Sequence, residues 1–286
     1  MDTHRQVVLG IDQSASSTAA VDVAVNEAVM RKLPLRIVHA FPWPTFSDVL
    51  GETLRQDAEL CVRQAVERAH RIAPRADVTG EVATGFVQKT LIGLSHDSAL
   101  IVLGDHGLGA VGSVLAGSVA VEVAEQAACP VLIARGATGL AADIVLGVDG
   151  SPANDPAIGF AFGEAALRGC AIDALHVWAH PVSTGPGDMI PLVFDPALVR
   201  ADETRLLAES LAGWQEQYPE VVVRRHVAHG HIRPVLIEAS GRAGLIVVGA
   251  RGLGSVGGLL LGSVSQAVLH HAACPVAIVP HAPKTR

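Results

Sequence analysis

Leu100-Ile101-Val102-Leu103-Gly104-Asp105-His106-Gly107 returns 145 positions later as Leu245-Ile246-Val247-Val248-Gly249-Ala250-Arg251-Gly252. Each is a short apolar run closed by a glycine, then two variable residues and a second glycine. Such a run reads as a strand buried on both faces, the kind found in parallel sheets. Nine residues separate Gly107 from Gly117-Ser118-Val119, and nine separate Gly252 from Gly262-Ser263-Val264. A helical pattern follows in both places. The unit is therefore strand, glycine-rich loop and helix, and it occurs twice.

The likeness extends over Leu100 to Arg135 and Leu245 to Pro280, with 20 of 36 positions identical. Further upstream, Val7-Val8-Leu9-Gly10-Ile11-Asp12-Gln13-Ser14 returns as Ile144-Val145-Leu146-Gly147-Val148-Asp149-Gly150-Ser151, a shift of 137. The two shifts differ by 145 − 137 = 8 residues, and the Pro/Gly-rich stretch 180–196 absorbs them, being longer than its counterpart around Pro42-Trp43-Pro44. A period this long means duplication of a whole domain, since solenoid repeats run about 20–50 residues. The small-residue linker Gly136-Ala137-Thr138-Gly139 places the boundary between 1–138 and 139–286.

Within each half, strand and helix patterns alternate. Val7–Ile11, Leu35–Val38, Leu100–Leu103 and Val131–Ala134 read as buried strands, and the more polar Asp77–Ala83 as an edge strand. Val21, Ala24, Val25, Ala28 and Val29 form one helical stripe, repeated at Ile158, Ala161, Phe162, Ala165 and Ala166. Five strands and four helices per half predict an α/β fold, doubly wound, with helices on both faces. In such sheets ligands bind beyond the carboxyl ends of the strands, where strand order reverses.

The chain's 286 residues suffice for two cores, and half of them are apolar. The net charge of −7 and the lack of any Lys/Arg stripe argue against a nucleic-acid partner. No apolar run approaches the roughly 20 residues that span a bilayer, and residues 1–11 do not read as an export signal. Cys61, Cys129, Cys170 and Cys274 form no CxxC pair, so free thiols in a cytoplasmic protein are the expectation.

The unusual residues gather at the expected strand ends. Gly10 and Asp12 close the first strand, and Gly147 and Asp149 do so in the second half. Gly104, Gly107 and Gly109, with Gly249, Gly252 and Gly254, let the backbone approach an anion without Cβ interference. Helix starts at Ser118 and Ser263 add backbone donors and a favourable dipole, and their hydroxyls can cap the helix or donate to a phosphate. The spacing G-x2-G-x9-G-[ST], complete in both halves, resembles the ATP-binding signature of the universal stress protein family. The Asp-x-Ser turns, the stretches Ile37-Val38-His39-Ala40 and Ala174-Leu175-His176-Val177, and the two Cys-Pro-Val strands are similar to that family as well.

The resemblance spans nearly the whole chain as two consecutive domains. It implies strand order 3-2-1-4-5 in each, and pairing through the fifth strands, within one chain or in a homodimer. It also implies ATP as ligand, with or without Mg²⁺. Asp12 and Asp149 would recognise adenine, Ala40 and Val177 would touch it, and the loops with Gly117-Ser118-Val119 and Gly262-Ser263-Val264 would hold phosphates. The halves are unequal: Arg251 replaces His106 and Ala250 replaces Asp105, which favours tighter anion binding in the second half.

Other readings are weaker. Gly107 to Gly112 and Gly252 to Gly257 match G-x-G-x-x-G, but they follow the fourth strand, and the second has no acidic residue downstream. Walker A is absent. His39 and His176 read as satisfied core histidines, and His226, His229 and His231 as a solvated loop. No repeated base accompanies the loops, so at most slow ATP hydrolysis is expected of a regulatory binding protein. The rival readings are a nucleotide-independent dimerisation or chaperone-like stress protein, and a small-molecule transferase on the same fold.

Overall fold

The computed structural model describes residues 5–41, 48–105, 117–136, 142–178, 196–252 and 261–281. The first half runs β1 (Gln6–Gly10), α1 (Ala15–Arg31), β2 (Leu35–Phe41), α2 (Asp48–Ile72), β3 (Val78–Thr84), α3 (Val87–Leu94), β4 (Ser98–Gly104), α4 (Ser118–Gln126) and β5 (Val131–Ala134). The second repeats it as β6 (Ile144–Gly147), α5 (Asp155–Arg168), β7 (Ile172–Trp178), α6 (Pro196–Gln217), β8 (Val223–His229), α7 (Ile232–Ser240), β9 (Leu245–Gly249), α8 (Ser263–His271) and β10 (Val276–Val279). Among these residues no helix is long and apolar enough to cross a membrane.

The strands form one ten-stranded sheet, ordered β3-β2-β1-β4-β5-β10-β9-β6-β7-β8. Each half thus has the order 3-2-1-4-5, and the halves meet at their fifth strands. That central pair is antiparallel, with Val276 opposite Ile133 and Ile278 opposite Val131, while every other pair is parallel. The join makes physical sense: β5 and β10 are fully buried apolar strands, and either one unpaired would be an exposed edge. The outer strand β3 is the more polar edge that its sequence predicts, and β8 is the edge at the other end.

Alternate residues along each strand feed two cores on opposite faces. Val7, Leu9, Leu100 and Val102 pack against α1, while Val8, Ile101 and Leu103 pack with Val123 and Ala124 of α4. Both cores continue across the central pair into the second half. Val29 departs from the predicted stripe, being 49% exposed. Instead Val23 and Glu27 are buried, because α1 turns a second face toward α5.

A four-membered ion ring lies at that α1–α5 contact. Glu27 and Arg31 on α1 correspond to Glu164 and Arg168 on α5 by the 137-residue shift. Arg31 pairs with both Glu27 and Glu164, and Arg168 with both Glu164 and Glu27. The carboxylates are 1% and 2% exposed, so the ring is buried between the halves.

Candidate functional site

The first loop of each half is built alike. The Asp12 carboxylate accepts from the Ser14 backbone N–H (2.9 Å) and hydroxyl, and Asp149 accepts from Ser151 N–H (2.8 Å) and hydroxyl (2.7 Å). These turns fix one oxygen of each carboxylate at the end of β1 or β6. The glycine loops are also closed alike. Gly117 N–H donates to Asp105 O at 2.9 Å, and Gly262 N–H to Ala250 O at 2.8 Å. Gly117 and Gly262 are the N-caps, extended and without a side-chain cap. Ser118 and Ser263 are therefore first helical residues and not the caps, which removes the first of the two roles expected of them. The helix's opening N–H groups carry the partial positive charge that suits an anion.

In the second half these parts enclose a cavity of about 650 Å³. Gly147, Asp149, Val177, Gly249, Arg251, Gly252, Gly262, Ser263 and Val264 all line it. Gly254 lies outside the described residues. Gly252 sits against the aspartate: a Cβ there would stand 2.9 Å from Asp149 Oδ2. Gly147 has a packing role as well, since a Cβ would meet Val248 at 3.2 Å and Leu236 at 3.5 Å. Gly150, at φ +76°, faces Leu206 so closely that a Cβ would be 2.3 Å from its side chain. The size suits a drug-sized or nucleotide-sized ligand. A carboxylate beside a Gly/Arg loop and an uncapped helix start also fit a nucleoside phosphate.

Four polar or aromatic lining residues escaped the sequence reading. Ser265 donates to Gly249 O at 2.6 Å and supports the loop entrance. Asn154, 3% exposed, donates to Gly147 O, and its Oδ1 has no partner among the described residues. Trp178 and Glu203 add an aromatic ring and a carboxylate to the wall. Position 154 holds Ser17 in the first half and position 203 holds Ala58, so a search for repeated residues passes over them.

The first half is assembled differently. Gly10 packs on Leu103 and Leu91, Ala40 is buried, and Val119 is partly buried against the core, as is Val264. Gly107 and Gly109, with His106, lie outside the described residues. Ser16 crowds Gly104, with its Oγ 2.7 Å and its backbone 3.0–3.1 Å from where a Cβ would be. A cavity of about 540 Å³ opens between α1 and α2, lined by Asp12, Ser14, Cys61, Gln64, Arg68 and Arg71 among others. Asp105 lies in the field of Arg135, a balance missed in the sequence. Burial lowers the Arg135 pKa while Asp105 opposes that shift. Arg135 also reaches across the join, donating to Leu269 O at 2.6 Å and Ala272 O at 3.2 Å.

The histidines separate into distinct cases. His176 is buried and bonded at both ring nitrogens, to Val148 O and Glu203, each at 2.8 Å. His39 is half-buried, with Nδ1 unpartnered among the described residues. Burial holds its pKa below the ordinary value against the opposing pull of Asp12. His226 and His229 belong to strand β8 and His231 caps α7, so the expected loop is an edge strand. His226 contacts Asp173 at 3.3 Å. Among the described residues no group of side chains could hold a metal ion.

A doubly wound fold in two copies, with a glycine-loop crevice at the strand ends, defines a class of tandem α/β proteins. The profile described as "Universal stress protein family" matches residues 3–135 and 142–280. The chain is 37% identical over 297 residues to a universal stress protein of Mycolicibacterium smegmatis, covering 97% of both chains. It is 35% identical over 304 residues to one of Mycobacterium tuberculosis, covering 96% of this chain and 95% of that one. In architecture it is similar to the crystal structure of a universal stress protein from Archaeoglobus fulgidus, with TM-score 0.72, 18% identity and coverage of 98% and 97%. The chain belongs to the universal stress protein family.

Proposed function

We propose that this protein is an ATP-binding regulator in which each half is one nucleotide-binding domain and the second half holds the stronger site. The observation carrying this reading is the second-half cavity, where a strand-end aspartate, a Gly/Arg loop and a helix N-terminus converge. Adenosine would lie on the strand-end side by Asp149 and Val177. The phosphates would lie by Arg251, Gly252 and the start of α8, where a permanent cation and backbone donors stabilise negative charge. Mg²⁺ would accompany the phosphates.

The first half would bind more weakly. Ser16 crowds its loop entrance, Ala40 offers less apolar surface than Val177, and His106 replaces an arginine. Occupancy would then act on domain packing or partner choice rather than on turnover. The test is to denature freshly purified full-length protein and identify released small molecules by chromatography and mass spectrometry. Adenine nucleotide at or near one per chain is the expected result. Absence of any nucleotide, together with no binding on adding Mg-ATP, refutes the proposal and favours a nucleotide-independent dimerisation or chaperone-like role.

A further inference from the structure

One wall of the second-half cavity carries a polar pair that the duplication does not repeat. His176 is 5% exposed and lies between two acceptors, Val148 O at Nδ1 and Glu203 Oε2 at Nε2. A carbonyl only accepts, so Nδ1 carries a hydrogen, and Nε2 shares a second proton with the carboxylate. A carboxylate held this way is fixed in orientation and strongly hydrogen-bonded. The Glu203 side chain keeps 28% exposure and lines the cavity.

The placement is specific. Val148 directly precedes Asp149, and His176 directly precedes Val177. The pair therefore ties α6 to the ends of β6 and β7, on the strand-end side of the cavity, with Arg251 and Gly252 on the loop side. The first half lacks it. Equivalent register pairs, Leu35 with Val78 and Ile172 with Val223, fix the alignment on either side. Glu203 then corresponds to Ala58 (203 − 145 = 58), which is 1% exposed.

We propose that Glu203, oriented by His176, is a ligand-contacting specificity residue of the second site, accepting from the free ribose hydroxyls of an adenine nucleotide and rejecting a phosphate on that ribose. Asp149 adds a second carboxylate to the same cavity, which suits a donor-bearing sugar. A ribose hydroxyl can donate to the oxygen of the fixed carboxylate that His176 leaves open, whereas a phosphate there would set acceptor against acceptor with no proton between them, which is how binding sites exclude near relatives of their ligand. This assignment rests on the nucleotide reading above.

The experiment titrates the full chain, carrying Gly107→Glu/Gly117→Glu so that the second site alone reports, with ADP and with its 2′- and 3′-phosphorylated derivatives. ADP should bind at least about tenfold tighter than either derivative, since a phosphate there leaves buried acceptors unpaired. Glu203→Gln keeps size and puts an amide donor where the carboxylate only accepts, and it should shrink that preference severalfold while weakening ADP less. The double variant His176→Gln/Glu203→Gln leaves no lone buried charge and gives the same readout should the single variant fold poorly. ADP binding with an unchanged preference in these variants overturns the assignment and leaves the nucleotide reading intact. No binding of ADP or ATP by the unmodified chain overturns both.

Discussion

Single residues decide what the second site can hold. Gly252 is the case at the carboxylate itself, because its Cα hydrogen faces Asp149 Oδ2 where a methyl group would stand 2.9 Å away. Gly252→Ala should weaken ATP binding by about tenfold, equivalent to about 1.4 kcal/mol, and move the melting temperature little, as the loop lies outside both cores. Isothermal titration alongside a thermal melt checks this; unchanged affinity would show that the ligand does not use the approach. The cysteines give a pH-dependent prediction. Burial pushes the thiol of Cys129 up to about 12 and that of Cys274 up to about 11. A raised acid pKa means that the neutral thiol favours folding. Its contribution is complete below the unfolded thiol value of about 8.5–9 and is lost as pH climbs through the folded values. Denaturant midpoints should therefore fall between about pH 9 and 12, and a Cys129→Ala/Cys274→Ala variant should show a shallower fall.

At the scale of elements, periodicity read the strands well and the helix faces less well. Val131–Ala134 is a strand at the predicted bounds, and β3 is the polar edge that Asp77–Ala83 announced. Val29 was misread because a stripe on one helix cannot reveal that the next copy of that helix will pack beside it. The same blindness hid the ring of Glu27, Arg31, Glu164 and Arg168, whose spacing in sequence looks like two ordinary surface i,i+4 pairs. The site followed the same pattern. Of the cavity lining, Asp149 and Gly262 were legible because the repeat marks them and Arg251 because it breaks the repeat beside a shared glycine, whereas Asn154 and Glu203, facing Ser17 and Ala58 in the other copy, drew no notice. Removing one partner from a buried ring strands the others. Glu27→Ala should cost about 3–5 kcal/mol in chemical denaturation, while replacing all four by apolar residues of similar volume should cost far less. Equal losses in both variants would mean that the ring is a net source of stability.

For the whole molecule, the central fact is that the chain pairs with itself. β5 and β10 each complete the other's sheet, so the surface that could join two chains is used within one. Residues 1–138 and 139–286 expressed separately should therefore associate on mixing, or self-pair, as judged by light scattering after size exclusion. Halves that stay monomeric at micromolar concentration would show that the join is weak. The proposed inequality of the halves, with the stronger adenine-nucleotide site in the second, is open to direct measurement. Titration of Mg-ATP into the full chain, into Gly107→Glu/Gly117→Glu and into Gly252→Glu/Gly262→Glu tests it most directly. The tighter binding event should survive in the first variant and vanish in the second; its survival in Gly252→Glu/Gly262→Glu would place the stronger site in the first half.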